Sequence, residues 1–236
     1  MRAKDNFLSA LDTASRIYGP AREMCTFDYE SFEESTFHPN VAAKIVGLAF
    51  LCGVAAWEDF LCSAYLGYLC GYPSPNGAVP RTRFGRSPNK SYALLLASGE
   101  STPREAERKM RWSSFKWVKS LSKIHFYSEN PFNQISESDI RWLDYAAAIR
   151  NRVAHNSEKA KSQFKEIVNN IASEPKGSSL PPGFSPGQLL ITPLSQLGTN
   201  HSLDSPDHHW GDLFEGYISL WVRLANQICP ESKPDA

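Results

Sequence analysis

The chain has 236 residues, is 42% hydrophobic and carries a formal net charge of zero. That composition is globular and excludes disordered or collagen-like classes, and the neutral balance leaves only local charge to speak of partners. Five cysteines (Cys25, Cys52, Cys62, Cys70, Cys229) with no CxxC spacing read as buried thiols in a reducing compartment, not as a disulfide framework or a zinc site.

The N-terminus, MRAKDNFLSALDTASRIYG, has alternating charge and no long apolar core. It does not read as a signal peptide, and the expected location is cytoplasmic. Residues 5–18 fit a short amphipathic helix through Phe7, Leu8, Leu11 and Ile17. Residues 26–37, acidic and aromatic without a period, read as loop or short helix. Residues 41–72 hold the longest apolar run, interrupted by Glu58 and Asp59. The run is long enough to span a bilayer, but two adjacent carboxylates in mid-span are costly in lipid. A long buried helix of a bundle is the preferred reading, and no membrane partner is expected. Gly47 and Gly53 would let another helix approach closely.

Residues 73–102, punctuated by Pro73, Pro75, Gly77, Pro80, Gly85 and Pro88, read as a long loop interrupted by a short apolar piece at Tyr92–Ala97. Thr102, Pro103 and Glu105 give three agreeing helix-start signals. Ala106, Met110, Trp117, Leu121 and Ile124 then predict one apolar face. Lys109, Lys116 and Lys123 repeat every seven residues on another, flanked by Arg108 and Lys119. From Arg81 to Lys123 there are eleven basic residues against three acidic ones. The patch is either a solvated face or a track for a polyanion backbone.

Residues 139–156, DIRWLDYAAAIRNRVAHN, predict a central helix capped by Ser136 with Asp139 as box partner. Ile140, Leu143 and Ala147 make one apolar stripe; Trp142, Ala146, Ile149 and Val153 make a second. Residues 157–172 predict another helix. Residues 173–206, rich in Pro, Gly and Ser, read as an insertion in which QLLITPL forms a short strand. Ser205-Pro206-Asp207 starts a last helix through Trp210, Leu213, Phe214, Tyr217, Trp221 and Ile228, and the tail from Pro230 reads as disordered. The fold class is all-α, with four or five substantial helices in a single domain. There is no GxGxxG, Walker loop or GxSxG, so no cofactor is implied. His208 and His209 lack partners at ligand spacing, and no metal site is assigned.

The chemistry-bearing cluster is Arg150-Asn151-Arg152-Val153-Ala154-His155. Asn151 and His155 share a helix face at i and i+4, whereas Arg150 and His155 differ by about 140° around the axis. The arginine reaches the same pocket if the helix bends near His155, or two copies pool their residues across a two-fold axis. Such a set suits RNA cleavage without a metal. Imidazole takes the 2′-hydroxyl proton or protonates the leaving 5′-oxygen. A guanidinium offsets charge on the phosphoryl oxygens, and Asn151 orients the imidazole or binds phosphate. Against this stands a bland reading, because a histidine near a helix C-terminus is favoured by the dipole alone.

The string Arg150-Asn151-x-x-Ala154-His155 resembles the R-x4-6-H signature of the HEPN superfamily. The upstream Trp57-Glu58 pair in AAWEDFL looks like the corresponding helix of the RiboL-PSP type. The likeness covers residues 40–172 and the closing helix, 206–229. It implies a four-to-five-helix bundle and a homodimer with a composite, metal-independent RNase site that leaves 2′,3′-cyclic phosphate ends. It also implies a toxin or anti-phage role, with an antitoxin or regulatory protein as partner. Carried over, Arg150 stabilises the phosphate, His155 is the acid/base and Asn151 is auxiliary. Glu58 is either a further polar residue aimed at the pocket or an ion-pair partner for Arg150 or Arg152. RNA would run along Lys109, Lys116, Lys123, Arg108, Lys119 and Arg152. The alternative within the family is a non-catalytic module that binds RNA, nucleotide or protein. Outside it stands an all-α structural protein.

Overall fold

The computed structural model describes residues 2–26, 39–171, 184–197, 203 and 211–232. Among them the chain forms nine α-helices and no strand. They are α1 (Arg2–Thr26), α2 (Pro39–Leu69), α3 (Lys90–Ser98), α4 (Pro103–Lys109), α5 (Phe115–His125), α6 (Glu137–Ala154), α7 (Glu158–Ile171), α8 (Pro186–Leu190) and α9 (Leu213–Ile228). Short 3-10 turns stand at Pro131–Gln134 and Leu194–Gln196. The all-α expectation holds.

Local chemistry sets the helix starts. Ser136 Oγ accepts the Asp139 N–H at 3.1 Å and donates to Asp139 Oδ2 at 2.7 Å, opening α6 as expected. Thr102 accepts the Glu105 N–H at 3.4 Å, with Pro103 at the first position of α4. At α9, Asp212 Oδ1 accepts the Glu215 N–H at 3.1 Å and Glu215 Oε2 accepts the Asp212 N–H at 3.3 Å. This reciprocal pair satisfies two donors that the first turn would otherwise orphan.

Several expectations are corrected. α1 runs well beyond residues 5–18, passing through Pro20. Residues 90–98 are helical, with Asn89 capping the Tyr92 N–H at 2.9 Å. The helix expected from Thr102 through Ile124 is two helices. Met110 turns extended after α4, and Ser114 caps α5 through the Trp117 N–H. Lys109 therefore lies on a different helix from Lys116 and Lys123, and Ile124 is 55% exposed, not part of the apolar face. QLLITPL is not a strand. Ser185, Pro186 and Gln188 form a capping box that starts α8, and only Pro193 bridges, to Asp212. Ser-Pro-x-Gln is a helix-start signal that outweighs the β-branched content of the stretch. Residues 27–38, most of 198–210 with Trp210, His208 and His209, and the tail beyond 232 lie outside the described residues. Of the cysteines, all five are free, but only Cys229 is buried and Cys52 is exposed. Burial pushes the Cys62 thiol up to about 11.

The contacts divide the chain into two units whose boundaries fall inside α1, α2, α6 and α9. The first unit comprises residues 1–8, 56–144 and 221–236. Phe7 packs on Trp57 and Phe60 at ring separations of 5.8 and 5.0 Å. Tyr65 is ringed by Trp112, Phe126 and Phe132 at 5.6, 5.3 and 5.2 Å. Its hydroxyl meets His125 Nδ1 at 2.9 Å, and burial holds that buried histidine below its ordinary pKa. Arg223 forks onto Asp139, with Nη2 to Oδ1 at 2.6 Å and Nη1 to Oδ2 at 3.3 Å. A carboxylate that is 4% exposed thus keeps a charge partner besides its cap.

The second unit comprises residues 9–55 and 145–220. Tyr18 stacks on Phe214 with ring centroids 3.9 Å apart and 4° between planes. Phe50 meets Phe214 and Tyr217 edge-on. α2 is the one described helix long and apolar enough to cross a membrane by length and composition, and half of its apolar window is buried within the protein. A Cβ on Gly47 would touch Val153 at 3.3 Å, so the expected close approach at this glycine exists.

Gly187 is the tighter case. A Cβ built there would run into the Ala43 carbonyl oxygen. Backbone blocks it, and no side chain can swing aside. Gly187→Ala is expected to destabilise the fold by about 3 kcal/mol or more, at the upper end of overpacking costs. A urea titration measures it, and a loss under about 0.5 kcal/mol, the size of a neutral surface change, would show that this approach is not made.

Candidate functional site

α6 delivers the polar cluster at its C-terminal end, inside the second unit. Ile149 is fully buried and anchors the last turns. Arg150, Asn151 and Arg152 are half-buried, and His155 is exposed. The helix stops at Ala154, so His155 lies one residue beyond it, although its N–H still donates to the Asn151 carbonyl at 2.9 Å. Arg150 Nη1 donates to Asn151 Oδ1 at 3.2 Å. Arg152 Nη1 reaches the His155 carbonyl at 3.4 Å.

The arrangement differs in one respect from the expectation. Asn151 holds Arg150 through its side chain and His155 through its backbone; its amide oxygen is engaged with the guanidinium. The result is a tethered, half-buried cation five residues before an imidazole open to solvent. Chemically, the first can bind a phosphoryl oxygen and the second can exchange a proton.

Arg152 and Val153 also line a groove of about 340 Å³ with Lys44, Leu48 and Ser185 among the other walls. That volume is at the lower end of small-ligand sites, about 300–1,000 Å³. Lys44 and Ser185 escaped the sequence reading because each stands far from Arg152 in the chain; only the fold brings them to one wall. Leu48, 53% exposed, supplies the apolar surface there.

Glu58 is half-buried on α2, in the first unit. The lysines expected to carry RNA also belong to that unit, and three of them are already engaged. Lys109 pairs with Glu100 at 2.7 Å, Lys116 with Asp144 at 2.6 Å, and Lys119 with Glu137 at 2.9 Å. Lys119 additionally donates to the Ile135 carbonyl at 2.9 Å. The hydrogen bond that Lys116 donates to Asp144 holds its ammonium above its ordinary pKa, and Lys119 holds the Glu137 carboxyl below its own. Arg108 and Lys123 are exposed. The basic excess counted along residues 81–123 is thus smaller in space, because α6 brings Glu137 and Asp144 against α5. Such solvent-exposed pairs are weak, so a polyanion displaces them at little cost per contact.

A second polar centre, in the second unit, escaped the sequence reading. Asp212, 0% exposed, accepts from the Tyr18 hydroxyl and pairs with Arg22 Nε at 2.8 Å. Burial raises its pKa above the ordinary carboxylate value, outweighing the lowering by Tyr18, the Glu215 N–H and Arg22. Burial likewise raises the Tyr18 hydroxyl, with Asp212 adding to it. The three side chains lie on α1 and at the start of α9, and their mutual satisfaction reads as a structural lock. Among the described residues no group of three or more His, Cys, Asp or Glu side chains is placed to share a metal ion.

Compared with protein-family models, with curated proteins and with solved structures, the chain matches none.

Proposed function

We propose that the protein is an endoribonuclease that cleaves RNA by attack of a 2′-hydroxyl on the adjacent phosphate. The observation that carries this reading is the end of α6, where an Asn151-tethered Arg150 stands five residues before an exposed His155. His155 takes the 2′-hydroxyl proton or delivers one to the 5′-oxygen. Arg150 offsets the charge that grows on the phosphoryl oxygens. The likeness of Arg150-Asn151-x-x-Ala154-His155 to the HEPN signature supports the same chemistry. Because Arg150 and His155 diverge around the helix axis, we read the working unit as a homodimer in which two α6 ends pool their groups. A toxin or defence effector restrained by a regulatory protein goes with this proposal.

The test is incubation of purified protein with labelled single-stranded RNA in EDTA, followed by end-group analysis. Fragments ending in 2′,3′-cyclic phosphate and 5′-hydroxyl are expected. Fragments ending in 5′-phosphate, or cleavage abolished by EDTA, would sink the mechanism.

A further inference from the structure

The stretch from Arg81 to Gly85, expected as loop, is tied down within the first unit. Thr82 and Phe126 form an antiparallel bridge. The Arg83 N–H donates to the His125 carbonyl at 2.8 Å and the Tyr127 N–H to the Arg81 carbonyl at 3.0 Å. The Thr82 hydroxyl donates to the Gly85 carbonyl at 2.8 Å. Gly85 turns the chain at φ 78°, a left-handed conformation that glycine adopts without strain.

The side chains on this frame form one exposed surface. The guanidinium carbons of Arg81 and Arg83 lie over the Tyr127 ring, 4.6 and 5.1 Å from its centroid. Arg83 Nε is fixed further by donating to the Phe126 carbonyl at 2.9 Å. Phe84 is 63% exposed and Tyr127 41%. The Phe84 ring is not loose: it sits edge-on to the buried His125 ring at 5.9 Å. Among the described residues no carboxylate forms an ion pair with Arg81 or Arg83, in contrast to Lys109, Lys116 and Lys119.

An exposed, oriented phenyl ring beside two positioned guanidiniums matches one chemistry above others. Unpaired bases offer flat faces that stack on aromatic and guanidinium planes, while their backbone offers phosphates to the same cations. A duplex hides its base faces, so this surface favours a single strand. Because the bridge already holds the backbone, little ordering remains to be done on binding.

We propose that Arg81, Arg83, Phe84 and Tyr127 form a platform for single-stranded RNA, with Phe84 stacking on a base and the two arginines holding the flanking phosphates. That the strand is RNA rests on the nuclease reading above; the stacking and charge do not.

The experiment is fluorescence anisotropy on the full chain with a labelled single-stranded 2′-O-methyl oligonucleotide of about ten nucleotides, within the range a single stacking groove covers. The methyl group blocks 2′-hydroxyl attack, so binding is read apart from cleavage. Phe84→Ala is expected to weaken binding at least about fivefold, as loss of one stacked base does, and Phe84→Trp to retain it. The double variant Arg81→Ala/Arg83→Ala is expected to reduce the slope of log affinity against log salt by about 1.4, two phosphate contacts' worth for a single strand. Circular dichroism confirms that the variants fold. Absence of binding by the wild type, unchanged binding in both the Phe84→Ala and the double-arginine variants, or equal affinity for a base-free polyglutamate peptide overturns the platform. Intact binding without any RNA cleavage by the wild type would refute the nuclease and leave the platform standing.

Discussion

His155→Ala is expected to lower RNA cleavage by a factor of about 10²–10⁴, the range a positioned acid/base contributes, with little change in stability. The side chain is exposed and lies beyond the last residue of α6. Its backbone N–H supplies the bond to Asn151, and alanine keeps that bond. Arg150→Ala makes the informative contrast. Its side chain is half-buried and bonded to Asn151, so truncation there removes packing as well as charge. Cleavage rates and thermal midpoints measured on both variants separate the two effects. Undiminished cleavage by His155→Ala would end the assignment, whatever Arg150→Ala does.

Asp212→Ala is expected to cost about 2–4 kcal/mol of stability, chiefly the buried Tyr18 hydroxyl left without its acceptor and the lost cap, while Arg22, 42% exposed, turns to water. Three groups lose their acceptor at once: the Tyr18 hydroxyl, the Arg22 guanidinium and the Glu215 N–H that opens α9. Cap loss alone accounts for about 1 kcal/mol. Asp212→Asn keeps the acceptor for the cap and offers an amide N–H that can donate to the Tyr18 oxygen in reversed sense, and is expected to cost less. The sign of the pH effect follows from the raised pKa. A carboxyl that holds its proton more tightly when folded favours the folded state most below its unfolded pKa, and that contribution is lost as pH rises through the folded value. Urea titrations from acid to neutral pH therefore show a component that falls with rising pH in wild type and is absent from Asp212→Asn. A wild-type profile identical to that of Asp212→Asn would show that Asp212 is not the group responsible.

What could be read from the sequence was local. The Ser136–Asp139 cap, the long apolar run that became α2 and the stripes of α6 and α9 are periodicities and spacings within a single helix, and the structure keeps them. The α4–α5 break was missed because an apolar face counted from Ala106 to Ile124 ran straight over Ser114, whose hydroxyl caps a new helix. At QLLITPL the strand expectation passed over the Ser185-Pro186 start just before it. The candidate site divides the same way. Arg150, Asn151 and His155 are neighbours in sequence, so their grouping was legible. The carboxylates that engage Lys116 and Lys119 come from α6, and Tyr127 meets Arg81 and Arg83 only through the Thr82–Phe126 bridge. No window of sequence contains those pairings.

The unequal helix lengths carry a consequence for the unfolded chain. α2 spans 31 residues, whereas α3, α4 and α5 span 9, 7 and 11. Isolated helices below about 12–15 residues are marginal in water, because nucleation costs more than a few added bonds return. The three short helices thus owe their form to packing and melt entirely when packing is lost. α2, rich in alanine and long enough to persist in part, carries residual helix into the denatured ensemble. Far-ultraviolet signal and tertiary probes then differ in their unfolded baselines, and the steepest loss of ellipticity belongs to α3, α4 and α5.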